Sequence, residues 1–250
     1  MTDMDNKVLV NVAPVSAEDK VIIPEKIAED VYKCYKAGAA MVHLHVRDRE
    51  GRLTPDMSLL EETLAMIRRD SDIIIEVSTG GVSDLNIRER CAPLYFELVE
   101  ACSLNVGSTN LGKAVYCNPI DDVEYCIREI LKQKKTPEVE TFEIGHTWTM
   151  ARLMEKYDFA DPVLFSVVLG HEGEAPATPQ ALAAMIQMIP SNAVWGITQA
   201  HRKDFSLLAG ALGMGARTVR IGFEDSNYLD AQTQVTSNAP LVEKTVKLLR

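Results

Sequence analysis

Two histidines separated by one residue form the first group that could carry chemistry. His43 and His45 lie in the segment AMVHLHV, whose apolar and β-branched residues are typical of a strand. Alternate strand residues point to the same face, so both imidazoles would project together near the C-terminal end of that strand. Two imidazoles on one face are suited to zinc, iron, nickel or copper. The alternative is that the histidines simply pair with nearby acids.

A second group lies near the end of the chain, in the segment TVRIGFED. Strand alternation places Arg220, Gly222 and Glu224 on one face, and Asp225 follows directly. Two histidines and one carboxylate are a common catalytic zinc set that leaves a position open for water or substrate. The segment therefore predicts Glu224 as the third ligand and Asp225 as either an acid that supports the ligands or a general base. The alternative is that the two acids only cap the next loop.

The segments EVSTGG and SLNVGS supply hydroxyl groups and glycines at two further strand ends. Ser78 and Ser103 are inward-facing candidates, and Gly80 and Gly81 would let the backbone approach a ligand closely. Hydroxyls and free N–H groups of this kind can hold a carboxylate, although TGG is equally typical of an ordinary turn. Glu140 adds an acid on the fifth strand, where an inward residue should be apolar or functional. A solvated strand end is the alternative for Glu140.

These residues need a scaffold that brings several strand ends together. Short β-branched runs alternate with longer stretches of 3.6-residue periodicity. The runs lie at 7–13, 40–46, 73–78, 101–106, 138–144, 163–169, 193–198 and 217–223. Eight such strands with intervening helices in 250 residues predict a (β/α)8 TIM barrel, in which strand one alone separates strands two and eight. The alternative is an open doubly wound sheet, but no GxGxxG follows the first strand.

Local signals mark helix ends and one long loop. Pro24 and Pro179 are expected at the first helical position, Thr178 as an N-cap, and Gly38 just after a helix. Residues 105–120 are expected to be the longest irregular segment, after the fourth strand.

Composition narrows the class of protein. The chain is 46% hydrophobic with a formal net charge of −10 and no long basic run, so nucleic acid and anionic membranes are poor partners. Its five cysteines lack CxxC spacing and are expected to be reduced thiols. No window approaches the ~20 apolar residues of a membrane span, and the N-terminus is not typical of a signal peptide. We therefore expect one domain over residues 1–250 of a cytoplasmic enzyme.

Several segments together resemble one family. AGAAMVHLHVRDREGR, EVSTGG, SLNVGSTN, PEVETFEIGH, VLGHEGEAPATP and VRIGFEDSNYL, in that order and spacing, are similar to the β-keto acid cleavage enzymes, over nearly the whole chain. The resemblance implies a zinc-dependent transferase on a TIM barrel. Such an enzyme takes a β-keto acid and acetyl-CoA and releases acetoacetate and a new acyl-CoA. It also implies a homo-oligomer, a tetramer in relatives.

The resemblance also implies roles for individual residues. The zinc ligands would be His43, His45 and Glu224. The catalytic residues would be Asp225 as the base, with Arg220 beside it, and Glu140 as a further acid. Ser78 and Ser103 would hold the substrate carboxylate, with Gly80 and Gly81 beside them. Glu18 would meet an amino group on the substrate.

The chain departs from its relatives after two strands. Many relatives read GVxGG where this chain has Gly170-His171-Glu172-Gly173-Glu174, and often GxGR where it has Gln199-Ala200-His201-Arg202. An acid from the His171–Glu174 run, or Glu18, would select a cationic substrate, whereas His201 and Arg202 would suit an anionic one. A neutral short-chain substrate is the third alternative. The expected contacts for the CoA phosphates are Arg202, Lys203 and Lys113.

Two other functions remain open at this point. One is a zinc-dependent hydrolase on a TIM barrel, which would bring a further histidine, such as His146 or His201, to the metal. The other is a non-enzymatic protein that binds a metal or acyl-CoA, in which Arg220 and Glu140 would have no reason to face the lumen.

Overall fold

The computed structural model describes residues 7–249, within which eight parallel strands close into a barrel. The barrel strands are Leu9–Val12 (β1), Met41–Leu44 (β2), Ile74–Val77 (β3), Ala101–Asn105 (β4), Thr136–Thr141 (β7), Leu164–Leu169 (β8), Val194–Gln199 (β9) and Thr218–Ile221 (β10). Their order around the barrel is β1, β2, β3, β4, β7, β8, β9, β10 and back to β1. Each overlaps one predicted run, so the predicted TIM barrel is confirmed.

Helices surround the barrel. They are Pro24–Ala37 (α1), Ser58–Asp70 (α2), the short Ile87–Arg90 (α3), Ile120–Gln133 (α4), Ile144–Lys156 (α5), Pro179–Ile186 (α6), Ser206–Gly213 (α7) and Ala239–Leu248 (α8). The predicted signals hold: both prolines begin a helix, Thr178 Oγ accepts from the N–H of Ala181 at 3.2 Å, and Gly38 adopts φ 111° after α1. No helix within residues 7–249 is long and apolar enough to cross a membrane.

The segment expected to be irregular, 105–120, contains a hairpin. Thr109–Leu111 (β5) and Ala114–Tyr116 (β6) pair antiparallel around a two-residue turn that begins with Gly112 at φ 59°. Glycine reaches this conformation without the strain that a Cβ would add. The N–H of Gly112 donates to the carbonyl of Glu172 at 2.8 Å, which ties the hairpin to the loop after β8. A second hairpin, Tyr228–Asp230 (β11) with Thr233–Gln234 (β12), follows β10.

The two faces of the barrel strands differ in character. Outward-facing side chains such as Val42, Ile75 and Phe165 are buried against the helices and form the main core. The inward face is polar, whereas barrel lumens are usually filled by branched apolar side chains. Parallel register aligns inward residues of neighbouring strands: Asn11 with Arg220, His43 with Glu76, Ser103 with Glu138, and Glu140 with Ser166. We expect a barrel lumen lined by polar and charged side chains to form a binding or catalytic site.

Candidate metal centre and active site

His43, His45 and Glu224 converge at the C-terminal end of the barrel, as their spacing predicted. Their ligand atoms lie within 4.8 Å of one another. Glu224 Oε1 is 3.3 Å from Nε2 of His45 and 3.9 Å from Nε2 of His43. Gly222 enables this approach: it adopts φ 143°, and a Cβ there would lie 2.2 Å from the carbonyl oxygen of Ala13. The chain can therefore turn sharply after β10 and bring Glu224 to the lumen.

The donor set and its electrostatics fit a divalent cation. Burial lowers the pKa of His45 and keeps its imidazole neutral, with a lone pair available. Burial raises the pKa of Glu224, but His45, Arg220 and His43 outweigh this effect and hold it well below its usual range. Nδ1 of His43 faces Glu76 Oε2 at 2.8 Å, which leaves Nε2 directed at the cluster. Two imidazoles and one carboxylate are donors that zinc accepts.

The guanidinium of Arg220 binds two more of the predicted acids, Asp225 and Glu140. Arg220 donates from Nε and Nη2 to Asp225, at 3.1 and 2.7 Å, and from Nη1 to Glu140 at 2.7 Å. Its Nη2 also lies 3.4 Å from Glu224. Burial lowers the pKa of Arg220, but Asp225, Glu224 and Glu140 outweigh it and raise the pKa well above its usual range. Arg220 therefore stays charged and fixes Asp225 beside the ligand cluster.

The two predicted serines also meet. Ser78 Oγ lies 3.3 Å from Ser103 Oγ, and both side chains are buried. The N–H of Gly80 donates to Ser78 at 3.1 Å, and that of Thr79 donates to Ser103 at 3.2 Å. These backbone donors, expected to face a ligand, are thus engaged by the hydroxyl groups. The hydroxyl protons of Ser78 and Ser103 are therefore the donors that these residues can offer to a ligand.

Gly80 and Gly81 make room for side chains as well as for the turn. A Cβ on Gly80 would lie 1.6 Å from the hydroxyl oxygen of Tyr116, and one on Gly81 would lie 2.4 Å from Leu53. Tyr116 is buried on β6, so the hairpin brings its phenol next to Gly80, beside the two serines. The sequence did not reveal Tyr116, because the hairpin was expected to be irregular.

A buried polar group beside the candidate metal ligands was not predicted from the sequence. Asn11 Nδ2 donates to Glu76 at 2.8 Å and to Glu138 at 3.2 Å, and all three are at most 4% exposed. Burial raises the pKa values of Glu76 and Glu138 to about 7 and about 8. Strand alternation was the available signal, because Glu76 and Glu138 each lie two residues from a residue already chosen, Ser78 and Glu140.

Other predicted residues lie elsewhere. Glu18 is exposed in the turn after β1, and its described hydrogen bond is a local one from its N–H to Ser16. Arg202 is only 1% exposed: it donates to the carbonyl of Tyr228 at 2.7 Å and stacks 4.0 Å above the Phe205 ring. Burial lowers its pKa to about 10. Lys203 and Lys113 remain exposed to solvent.

The remaining histidines do not join the metal cluster in the described part of the chain. His146 Nδ1 accepts from the N–H of Phe142 at 3.3 Å, and His171 packs edge-on against His201 with ring centroids 5.8 Å apart. Residues 7–249 present one group of three possible ligands, His43, His45 and Glu224. The additional histidine that a zinc hydrolase would want is therefore not supplied by His146 or His201.

Glu174, in the loop after β8, carries an unusual carboxylate. Both of its oxygens are buried, and neither has a hydrogen-bond partner among the described residues. Burial, together with Glu143 and Glu140, raises its pKa to about 8. An unpaired buried carboxylate is costly unless a cation meets it or a proton neutralises it.

Comparison with known proteins agrees with the resemblance seen in the sequence. The chain is 32% identical over 243 residues to the 3-keto-5-aminohexanoate cleavage enzyme of Fusobacterium nucleatum, covering 95% of this chain and 88% of that protein. It is 31% identical over 276 residues to the 3-dehydrocarnitine:acetyl-CoA trimethylamine transferase of Rhizobium meliloti, covering 98% and 91%.

Solved structures bear on the fold alone. The ternary complex of ObcA with a C4-CoA adduct and oxalate matches with a TM-score of 0.74 at 20% identity, covering 91% of this chain and 63% of that longer chain.

The family described as beta-keto acid cleavage enzyme matches residues 10–250. With that match over nearly the whole chain and relatives above 30% identity, this protein belongs to the beta-keto acid cleavage enzyme family.

Proposed function

We propose that this protein is a zinc-dependent enzyme that condenses a β-keto acid with acetyl-CoA and releases acetoacetate and a new acyl-CoA. Family membership supports a C–C bond-cleaving acyltransferase. The observation that carries the proposal is the convergence of a metal-ligand set with a second, separately held carboxylate. Glu224 faces the histidines, while Asp225 is held by Arg220.

His43, His45 and Glu224 would hold the metal. When bound there, zinc would act as a Lewis acid that polarises the 3-keto group of the substrate. Glu140 and Arg220 line the same part of the lumen and are almost fully buried. Arg220 supplies a fixed positive charge close to where negative charge develops, in surroundings that exclude most water.

Asp225 is the proposed base. Arg220 orients its carboxylate through two hydrogen bonds, so the group is held in place before substrate arrives. Ser78 and Ser103 would donate their hydroxyl protons to the substrate carboxylate, and Tyr116 lies close enough to Gly80 to support both serines. This arrangement would direct the acidic C2–H bond of the substrate toward Asp225.

The reaction balances without a redox cofactor. Asp225 removes a C2 proton, and the carbanion attacks the acetyl thioester, forming a C–C bond and expelling CoA thiolate. The thiolate then attacks the original 3-keto carbon, and the bond from that carbon to C2 breaks. The new acyl-CoA leaves, and C2 of acetoacetate takes back the proton from Asp225.

Acetyl-CoA must approach a chain of net charge −10. We propose that the exposed Lys203 and Lys113, at the C-terminal end of the barrel, meet its phosphates through charge-assisted bonds. Arg202 would contribute by holding the loop that carries Lys203, because its guanidinium is already stacked on Phe205.

The far end of the substrate is proposed to carry a positive charge. Glu174 is a buried carboxylate with no hydrogen-bond partner within residues 7–249, and the charged groups that act on it, Glu143 and Glu140, are both acids. A substrate ammonium or quaternary ammonium group would neutralise this local excess of negative charge, whereas a second carboxylate would be repelled.

A homo-oligomer is also proposed. Several large apolar side chains are exposed around α4, α5 and the first hairpin, namely Val115, Ile120, Ile144 and Trp148. Association of copies would cover such side chains. Light scattering of the purified protein gives the assembly mass, and a monomer would contradict this part of the proposal.

The test of the function is a screen of β-keto acids with acetyl-CoA, in which acyl-CoA products are identified by mass. We expect turnover with zinc-loaded protein, loss after chelation and recovery with added zinc. Asp225→Asn is the matched control, because it should bind zinc but turn over roughly 100- to 10,000-fold more slowly. Zinc-loaded protein that yields no new acyl-CoA with any β-keto acid would favour the non-enzymatic alternative.

A further inference from the structure

The carboxylate of Glu76 lies directly against one of the proposed metal ligands. Its Oε2 is 2.8 Å from Nδ1 of His43, and both side chains are at most 2% exposed. We infer that Glu76 is a positioning residue that holds His43 as the Nδ1–H tautomer and so sets the affinity of the metal site. The inference rests on the proposed metal centre formed by His43, His45 and Glu224.

The geometry assigns the two nitrogens of His43 different partners. A neutral imidazole carries one N–H and one lone pair, and the position of the hydrogen is determined by the neighbours. Oε2 of Glu76 already accepts from Asn11, and as an unprotonated oxygen it can only accept from His43, so Nδ1 carries the hydrogen. Nε2, on the Glu224 side of the ring, is then left with the lone pair that a metal needs.

Glu76 is itself held from two sides. Asn11 donates to the same Oε2 at 2.8 Å, and its amide also reaches Glu138 at 3.2 Å. Because Glu138 accepts from that amide as well, Asn11 is fixed between the two acids. These residues come from three different strands, β1, β3 and β7, so the carboxylate cannot turn away from His43 without breaking contacts across the lumen.

Packing alone does not account for acids at these positions. The same lumen positions are usually filled by branched apolar residues, which bury without electrostatic cost. A carboxylate behind a metal-binding histidine has a known physical effect: it fixes the ring and makes the ligand nitrogen more basic, and its loss weakens metal binding by roughly 10- to 100-fold.

The test compares two buried acids of the same lumen. Glu76→Gln keeps the side-chain volume but removes the charge that faces His43, whereas Glu138→Gln removes an acid that lies away from the histidine. Zinc affinity is measured on the full-length, metal-stripped protein with a competing chelator. We expect Glu76→Gln to weaken zinc binding by roughly 10- to 100-fold and Glu138→Gln to change it by less than about threefold.

A second readout needs no variant of Glu76. In metal-free wild-type protein labelled with ¹⁵N-histidine, the His43 signal, assigned by its loss in His43→Asn, should report hydrogen on Nδ1. Hydrogen on Nε2 would overturn the inference, as would unchanged zinc affinity in Glu76→Gln or an equal loss in Glu138→Gln. Failure of wild-type protein to bind zinc would instead overturn the proposed metal centre, and the tautomer measurement separates these two failures.

Discussion

Glu224 and Asp225 are adjacent in the chain, yet their carboxylates have different main partners. Glu224 Oε1 lies 3.3 Å from Nε2 of His45, whereas both oxygens of Asp225 accept hydrogen bonds from Arg220. The turn at Gly222 lets both side chains reach the site. One acid is thereby placed to bind a metal and the other to move a proton.

This division predicts different effects of two conservative substitutions. Asp225→Asn should retain one zinc per chain and lower kcat by roughly 100- to 10,000-fold, because a positioned base contributes about that much. Glu224→Gln should lose zinc and activity together. Metal content by plasma emission spectrometry and steady-state kinetics check this pair. Equal loss of zinc in Asp225→Asn would reassign Asp225 to the metal.

Arg220 should matter for stability as well as for catalysis. Arg220→Met would leave Glu140, Asp225 and Glu224 buried together without their cation, and removing one partner of a buried ion pair costs about 3–5 kcal/mol. Arg220→Lys keeps the charge but cannot reproduce the forked hydrogen bonds, so it should retain more stability than activity. Urea unfolding and kcat are measured on both variants. A wild-type-like Arg220→Met would contradict the assigned role.

The lumen acids predict a pH dependence of stability. The pKa of Glu138 rises from an ordinary 4.5 to about 8 on folding, because the side chain is buried. Between these pH values the unfolded chain has released the proton and the folded protein retains it. The free energy of unfolding therefore falls as pH rises through this window, by up to about 1.4 kcal/mol per pH unit for one group.

Glu138→Gln removes that titrating group. The free energy of unfolding of the metal-free variant should fall less steeply between pH 5 and 8 than that of metal-free wild-type protein. Urea titrations across this range, with wild-type protein as the reference, measure the two slopes. Identical slopes would show that Glu138 is already ionised in the folded protein.

Substrate charge should be recognised by Glu174. Matched β-keto acids that end in an ammonium, a methyl or a carboxylate group should rank in that order by kcat/KM. Glu174→Gln should reduce the preference for ammonium over methyl by roughly 10- to 100-fold, since a hydrogen bond to a charged group contributes about 1.5–3 kcal/mol. Glu172→Gln, in the same loop but exposed, is the control. A wild-type preference for the carboxylate substrate would contradict the proposed cation and direct attention to Arg202.

The barrel and the ligand cluster could be predicted because both depend on short-range periodicity. His43 and His45 share a face by alternation alone, and closure of eight strands brings Glu224 toward them. Glu76 required the register that pairs it with His43 across β2 and β3, which one sequence does not supply. The position of Tyr116 depends on a β-hairpin, and the burial of Arg202 depends on its stacking on Phe205. Both features belong to loops, whose sequences carry no strong periodic signal.

The central claim, acyl exchange through a carbanion at C2 of the β-keto acid, is tested most directly by following carbon atoms. Zinc-loaded enzyme is incubated with an unlabelled β-keto acid and acetyl-CoA that carries ¹³C in both acetyl carbons, and products are analysed by mass spectrometry. We expect acetoacetate labelled only at C3 and C4, an unlabelled new acyl-CoA, and formation of both products roughly 100- to 10,000-fold more slowly with Asp225→Asn. Unlabelled acetoacetate, or label in the new acyl-CoA, would contradict it.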